Sequence, residues 1–189
     1  KKNNSISVIN NYILNTLYIW SDLEGSTLEE AKLKLNQLDN RFDNLKKIQN
    51  VFLHCYFNSK DTDLLFNKLI SNEKTDFSRY NYFYARHLDN KGQKIEARKI
   101  IKKALKKYPR NLILNQYEVN LELQKNFSDF NCSNKVEIVA ELLYIAANAL
   151  SSQSYFQTSN FYLNFSKYLN KNFYSFDTLL AENFYKIED

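Results

Sequence analysis

"RYNYFYARHLDNKGQKIEARKIIKKALKKYPRN", residues 79–111, sets Gly92, Ala97, Ala104 and the chain's single proline, Pro109, at intervals inside otherwise bulky, aromatic-rich sequence. Small side chains at helical spacing mark a place where two helix backbones can approach to the short end of their usual separation. Gly and Pro mark where helices stop. The stretch therefore reads as a helical hairpin, with one helix over 76–91, a turn at Lys91-Gly92 and a second helix over 93–107. Gly92 adopts the left-handed conformation cheaply, Lys106 and Lys107 suit the negative end of the helix dipole, and Pro109 prevents continuation. Ala97, Ile101 and Ala104 share the face expected to meet the first helix.

Working outward, the whole chain repeats this grammar. Two Gly and one Pro in 189 residues are too few for the many turns of a β fold, so helices joined by short polar loops are expected. Apolar residues recur with a helical period in about ten segments: 5–22, a second in "EGSTLEEAKLKLNQL" (24–38), 41–58, a fourth beginning near Asp61, then 76–91, 93–107, 111–125, 135–150, 153–169 and 174–187. Ser26 and Glu29 have the spacing of a capping box, and Asp61 is placed to cap the fourth segment. "NFSDFNCSN", 126–134, carries turn residues and no clean period, and reads as a loop. Short connections force neighbouring helices antiparallel, which gives a series of hairpins.

Numbering 34 residues so that Pro109 is the thirty-second starts a window at Ser78. It puts Ala85, Ala97 and Ala104 at positions eight, twenty and twenty-seven, with Tyr84, Leu88 and Ile101 as the large apolar positions between. A second window from Ala140 gives Ala147, Ser159 and Ser166 at the same positions, with Lys171 in place of the proline, and a third begins in phase at Tyr174. This pattern resembles the tetratricopeptide repeat. "AELLYIAANAL" followed by "FYLNFSKYLN" is similar to the helical-repeat proteins common in alphaproteobacteria. The resemblance implies an all-α, right-handed α-solenoid of antiparallel hairpins: degenerate hairpins over 1–72, repeat units at 78–111 and 140–173, a helix plus loop at 112–139, and the first helix of a further unit at 174–189. One helical-repeat domain over 1–189 is the expectation.

The resemblance also implies where a partner binds. In such arrays the first helix of each pair lines a concave groove, which assigns Arg79, Tyr82, Arg86, Gln116, Asn120, Tyr144 and Asn148 to that face. These types suit an extended peptide, because they donate to its carbonyls or pair with its carboxylates. The expected function is a noncatalytic scaffold for a protein or peptide partner. The alternative is RNA or an anionic surface bound through 94–110, which has eight basic residues against one acidic, a net +7 that exceeds the whole chain's +5. Against it, lysines on an outer helix ordinarily serve solubility.

Other features point to no chemistry. His54 and His87 have no second ligand at helical spacing and read as structural, Asp61 and Asp63 as caps, and Cys55 and Cys132 as free buried thiols. No phosphate loop, GxSxG or HExxH occurs, so no catalytic residue, cofactor or metal is assigned. Fourteen Tyr and fourteen Phe beside many Lys and Asn fit an AT-rich genome and carry no functional meaning. The lack of Met suggests a fragment with Leu179, Leu180 and Phe184 exposed toward a following helix. It also leaves the compartment, cytoplasm or periplasm, open. Asn10, Asn11 and Asn15 interrupt the most apolar stretch, so no transmembrane span is expected and the chain reads as soluble.

Overall fold

The computed structural model describes residues 2–123, 129–173 and 175–188. Among these the regular elements are all helical: α1 (Lys2–Ser21), α2 (Leu28–Asn36), a 3-10 turn (Asn40–Phe42), α3 (Asp43–Tyr56), α4 (Thr62–Ser71), α5 (Ser78–Asn90), α6 (Lys94–Lys107), α7 (Leu112–Glu122), α8 (Lys135–Ser151), α9 (Phe156–Leu169) and α10 (Ser175–Glu188). The all-α class is therefore as expected. None of the described helices is long and apolar enough to cross a membrane. The chain divides into two compact units, residues 1–46 with 134–189 and residues 47–133.

Three of the helix-to-helix turns are built in the same way. Asn58, Gly92 and Ser154 all have positive φ, at 51°, 77° and 65°. In each case the following amide reaches back to the last full turn: Ser59 N to His54 O at 2.8 Å, Gln93 N to Leu88 O at 2.9 Å and Tyr155 N to Leu150 O at 2.9 Å. These bonds satisfy carbonyls that a helix end leaves open. Only Gly92 announces the turn in the sequence. Asn tolerates the left-handed region, and Ser occupies it at a cost of about 1 kcal/mol or more.

In the 47–133 unit α5 is enclosed, packing against α4, α6 and α7. Ala85, Ala97, Ile101 and Ala104 are buried where α5 meets α6, which is why small residues stand there. The core is aromatic: Phe52 lies against Phe66, Phe83 and Phe130, and Phe66 stacks on Tyr84. Residues 129–133 form a loop, yet Asp129, Phe130 and Cys132 are among the most buried side chains of the unit. Residues 124–128, part of the same expected loop, lie outside the described residues.

In the other unit α8 and α9 pack closely enough for the Ser159 hydroxyl to donate to the Ala147 carbonyl at 2.7 Å. Asn183 from α10 is fully buried; it accepts from Ser151 Oγ at 2.6 Å and donates to Ser159 Oγ and Asn160 Oδ1, both at 2.8 Å. Leu179 joins Ala147 and Leu163 in the core, contrary to its expected exposure, because α10 docks on α9; Phe184 is exposed as expected and Leu180 is half-buried. α1 packs on α8, with Tyr162 OH donating to Asn10 Oδ1 at 3.3 Å.

Two capping expectations need correction. α2 is capped by Thr27 with Glu30, one residue later than Ser26 and Glu29, because Ser26 Oγ instead donates to Asp22 O. Asp61 occupies the N-cap position of α4 without a side-chain bond, and the Asp63 carboxylate is spent on His87 and Lys91.

Candidate functional site

The seven residues expected to line a groove differ in exposure: Tyr82, Arg86 and Asn120 are buried, Gln116 and Asn148 exposed. Five fall in the 47–133 unit, and there the chain's own loop occupies the face. Asp129 accepts a hydrogen bond from Tyr82 OH, and its other oxygen lies 3.0 Å from Arg86 Nε, an ion pair without the alignment of a hydrogen bond. Arg86 Nη1 pairs with Asp89 at 3.1 Å, Tyr117 OH donates to the same carboxylate at 2.8 Å, and Arg86 lies over the Tyr117 ring. Phe130 stacks on Phe83 at 3.9 Å. Burial pulls the Asp129 carboxyl upward, opposed by Tyr82 and Arg86. Arg86 and Tyr82 thus grip a carboxylate as their chemistry suggests, but an internal one. Asn120 is buried and accepts from Gln116, which is exposed, while Arg79 is half-buried over Phe83. In the other unit Tyr144 packs on Phe176 and the Ala147–Leu163–Leu179 cluster, leaving Asn148 exposed.

What stands open is a cleft of about 850 Å³ between α1 and residues 37–42, in the unit that joins both chain ends. α1 supplies Asn10, Asn11, Leu14 and Asn15 from one face and Tyr12 from its edge; Gln37, Leu38, Asp39, Arg41 and Phe42 form the facing wall. That wall is held by Lys46, whose ammonium donates to Leu38 O at 3.1 Å and Asn40 Oδ1 at 2.7 Å. The Tyr12 and Phe42 rings pack with centroids 4.5 Å apart. The Tyr12 hydroxyl is buried with no hydrogen-bond partner among the described residues, and burial pushes the phenol far above its ordinary range. Leu14 is exposed at 64%, and Asn11 accepts from Asn15 at 3.2 Å. At one end Asp39 accepts from the Arg41 guanidinium and the Arg41 backbone N–H, which lowers its carboxyl to about 2. A carboxylate held that acidic is a poor general base.

Sequence reading used Asn10, Asn11 and Asn15 only to exclude a membrane span. Their spacing on one helix face, beside exposed Leu14, was the available signal for the cleft. A second assembly was also missed: His87 does not stand alone but lies beside Cys55 and Cys132, which form a disulfide and are not free thiols, with Cα atoms 5.7 Å apart. The pairing spans 77 residues and joins α3 to the irregular loop, a relation no local spacing encodes.

The basic helix α6 is partly neutralised. Arg98 pairs with Glu122, Lys99 with Glu96 and Lys107 with Asp76, while Lys94, Lys102, Lys103 and Lys106 make no ion pair among the described residues. No family model, curated protein or solved structure matches the chain.

Proposed function

We propose that the chain is a noncatalytic interaction module that holds an extended polypeptide segment of a partner protein. The open amide-lined cleft on α1 is the observation that carries this reading. Each Asn or Gln side chain offers both a donor and an acceptor, the complement of a peptide unit, while Leu14 and the Tyr12–Phe42 pair offer apolar contact between them. Asp39, the only acidic residue in the lining, is already committed to Arg41, which leaves no poised acid or base for chemistry.

A tetratricopeptide-like repeat of the α-solenoid class is the architecture we infer. The identical turns at Asn58 and Gly92, 34 residues apart, and the equivalent turn at Ser154, at the same place in its window as Gly92, support it. So does the burial of Ala85, Ala97, Ala104, Ala147, Ser159 and Ser166. The packing of α1 on α8 is an addition that a strictly neighbour-to-neighbour stack lacks.

A photo-crosslinking side chain at Leu14, compared in the native cell with one at Lys103, tests the reading. A discrete protein adduct should form from Leu14. Once that protein is purified, Leu14→Ala with Asn15→Ala should weaken binding by about 2 kcal/mol, roughly thirtyfold. Adducts to RNA or lipid at Lys103, with none at Leu14, would replace this reading by the basic-surface alternative.

A further inference from the structure

Three potential metal-ligand atoms converge in the 47–133 unit: Cys55 Sγ, Cys132 Sγ and His87 Nδ1, all within 4.8 Å of one another. The His87 nitrogen is 3.4 Å from Cys55 Sγ and 3.6 Å from Cys132 Sγ. Tetrahedral zinc with its usual bonds, about 2.3 Å to sulfur and 2.0–2.1 Å to nitrogen, sets a sulfur-to-nitrogen edge of about 3.5 Å. Two of the three edges are therefore at coordination length already. The third, between the sulfurs, lengthens to about 3.8 Å when the disulfide is cleaved.

The imidazole is oriented for this role. His87 Nε2 lies 2.8 Å from Asp63 Oδ1, and since a carboxylate only accepts, Nε2 carries the proton and the lone pair of Nδ1 faces the sulfurs. Lys91 Nζ holds the other Asp63 oxygen at 2.8 Å. A carboxylate behind a histidine, fixing its tautomer, is the usual support of a metal-bound imidazole. Phe66 packs against the ring, and both cysteines are 2% exposed, which keeps the thiolates from bulk water.

We propose that Cys55, Cys132 and His87 form a redox-gated site for zinc or a similarly thiophilic divalent cation, filled in the reduced protein and emptied as the disulfide forms. A dithiol reductant transfers two electrons and two protons to the Cys55–Cys132 bond and itself becomes a disulfide. The cation then displaces one proton from each thiol and binds two thiolates and His87 Nδ1, with water completing the four positions. Exchange with an external disulfide reverses the sequence: the protein disulfide re-forms, the cation leaves, and the external sulfurs depart as two thiols after taking up two protons.

The test is Co²⁺ titration of the full chain, reduced with a phosphine and freed of it anaerobically. One Co²⁺ per chain should bind, with a near-ultraviolet thiolate-to-cobalt charge-transfer band that Zn²⁺ abolishes. Oxidation should release bound Zn²⁺ to a chromophoric chelator in step with loss of free thiols. Cys55→Ser should remove the band, His87→Ala should weaken affinity tenfold or more, and Asp63→Asn, at a partly exposed position outside the core, should weaken it about tenfold with the stoichiometry retained. Circular dichroism accompanies each titration. The proposal is overturned if the reduced chain keeps its helices and takes up no Co²⁺, if it loses them and Zn²⁺ does not restore them, or if His87→Ala and Asp63→Asn both bind as tightly as the parent.

Discussion

The two units treat one face of a helix in opposite ways. In residues 47–133 the face of α5 is filled by the chain itself: Asp129 sits on Tyr82 and Arg86, Phe130 on Phe83, and a disulfide fixes the loop from its far end. In residues 1–46 with 134–189 the face of α1 that carries Asn11, Leu14 and Asn15 is left open, while the contact of α8, α9 and α10 is closed by small residues and a buried amide, Asn183. The same residue types that would grip a partner become structural once an internal segment reaches them first. Residue type on a helix face is thus evidence of binding chemistry, while vacancy decides whether that chemistry is available.

The largest effect should come from cutting the covalent tie. Closing a loop of 77 residues restricts the unfolded chain by about 4 kcal/mol, so Cys55→Ser with Cys132→Ser should lower stability by about that much under oxidising, metal-free conditions. Trp20, the chain's only tryptophan, belongs to the other unit and is buried. Urea unfolding followed by tryptophan fluorescence and by circular dichroism therefore sharpens the comparison. A dichroism transition that moves alone shows two stability units, and equal displacement of both shows one.

Next in size is the loop's polar anchor. Asp129→Ala removes a carboxylate from the Arg86 guanidinium, whose side chain is 4% exposed, and should cost about 3 kcal/mol. A loss below about 1 kcal/mol by denaturant titration would mean that Phe130 and the disulfide seat the loop without help. The matching cut in the other unit is Asn183→Leu. It strips partners from Ser151, Ser159 and Asn160 at once and is expected to cost about 2 kcal/mol, raising exposure of α10 to hydrogen exchange. Retained protection would show that the apolar contacts of Phe176 and Leu179 hold α10 without help from this amide.

How much of this was legible depended on whether the information was local. Helix positions followed from apolar period, and the α5–α6 contact from Ala97 and Ala104, because both repeat within a few turns. The turns at Asn58 and Ser154 escaped notice since their side chains do not demand a left-handed backbone as Gly92 invites one. The 129–133 loop was read correctly as irregular but not as core. Its burial depends on Arg86 and Cys55, 43 and 77 residues from their loop partners Asp129 and Cys132. His87 was judged by neighbours at helical spacing, although its ligand-like partners come from α3, α4 and the loop.

The smallest expected effect concerns the turns, where the two units share a geometry but not a residue. Gly92 has φ 77° and Ser154 has φ 65°, and the amides that follow make equivalent bonds to helix carbonyls at 2.9 Å. A side chain in this region forces its Cβ toward the following carbonyl, costing roughly 1–2 kcal/mol, whereas glycine has none; part of the gain is returned as greater freedom of the unfolded chain. Ser154→Gly should therefore stabilise by about 0.5–1 kcal/mol, and Gly92→Ala should destabilise by about 1 kcal/mol even though a Cβ there would meet no atom within 4 Å. The two changes have opposite signs for one reason, backbone conformation, because contacts do not enter at Gly92. Paired urea midpoints decide it: if both variants move in the same direction, the turns are not equivalent and the shared geometry loses its energetic meaning.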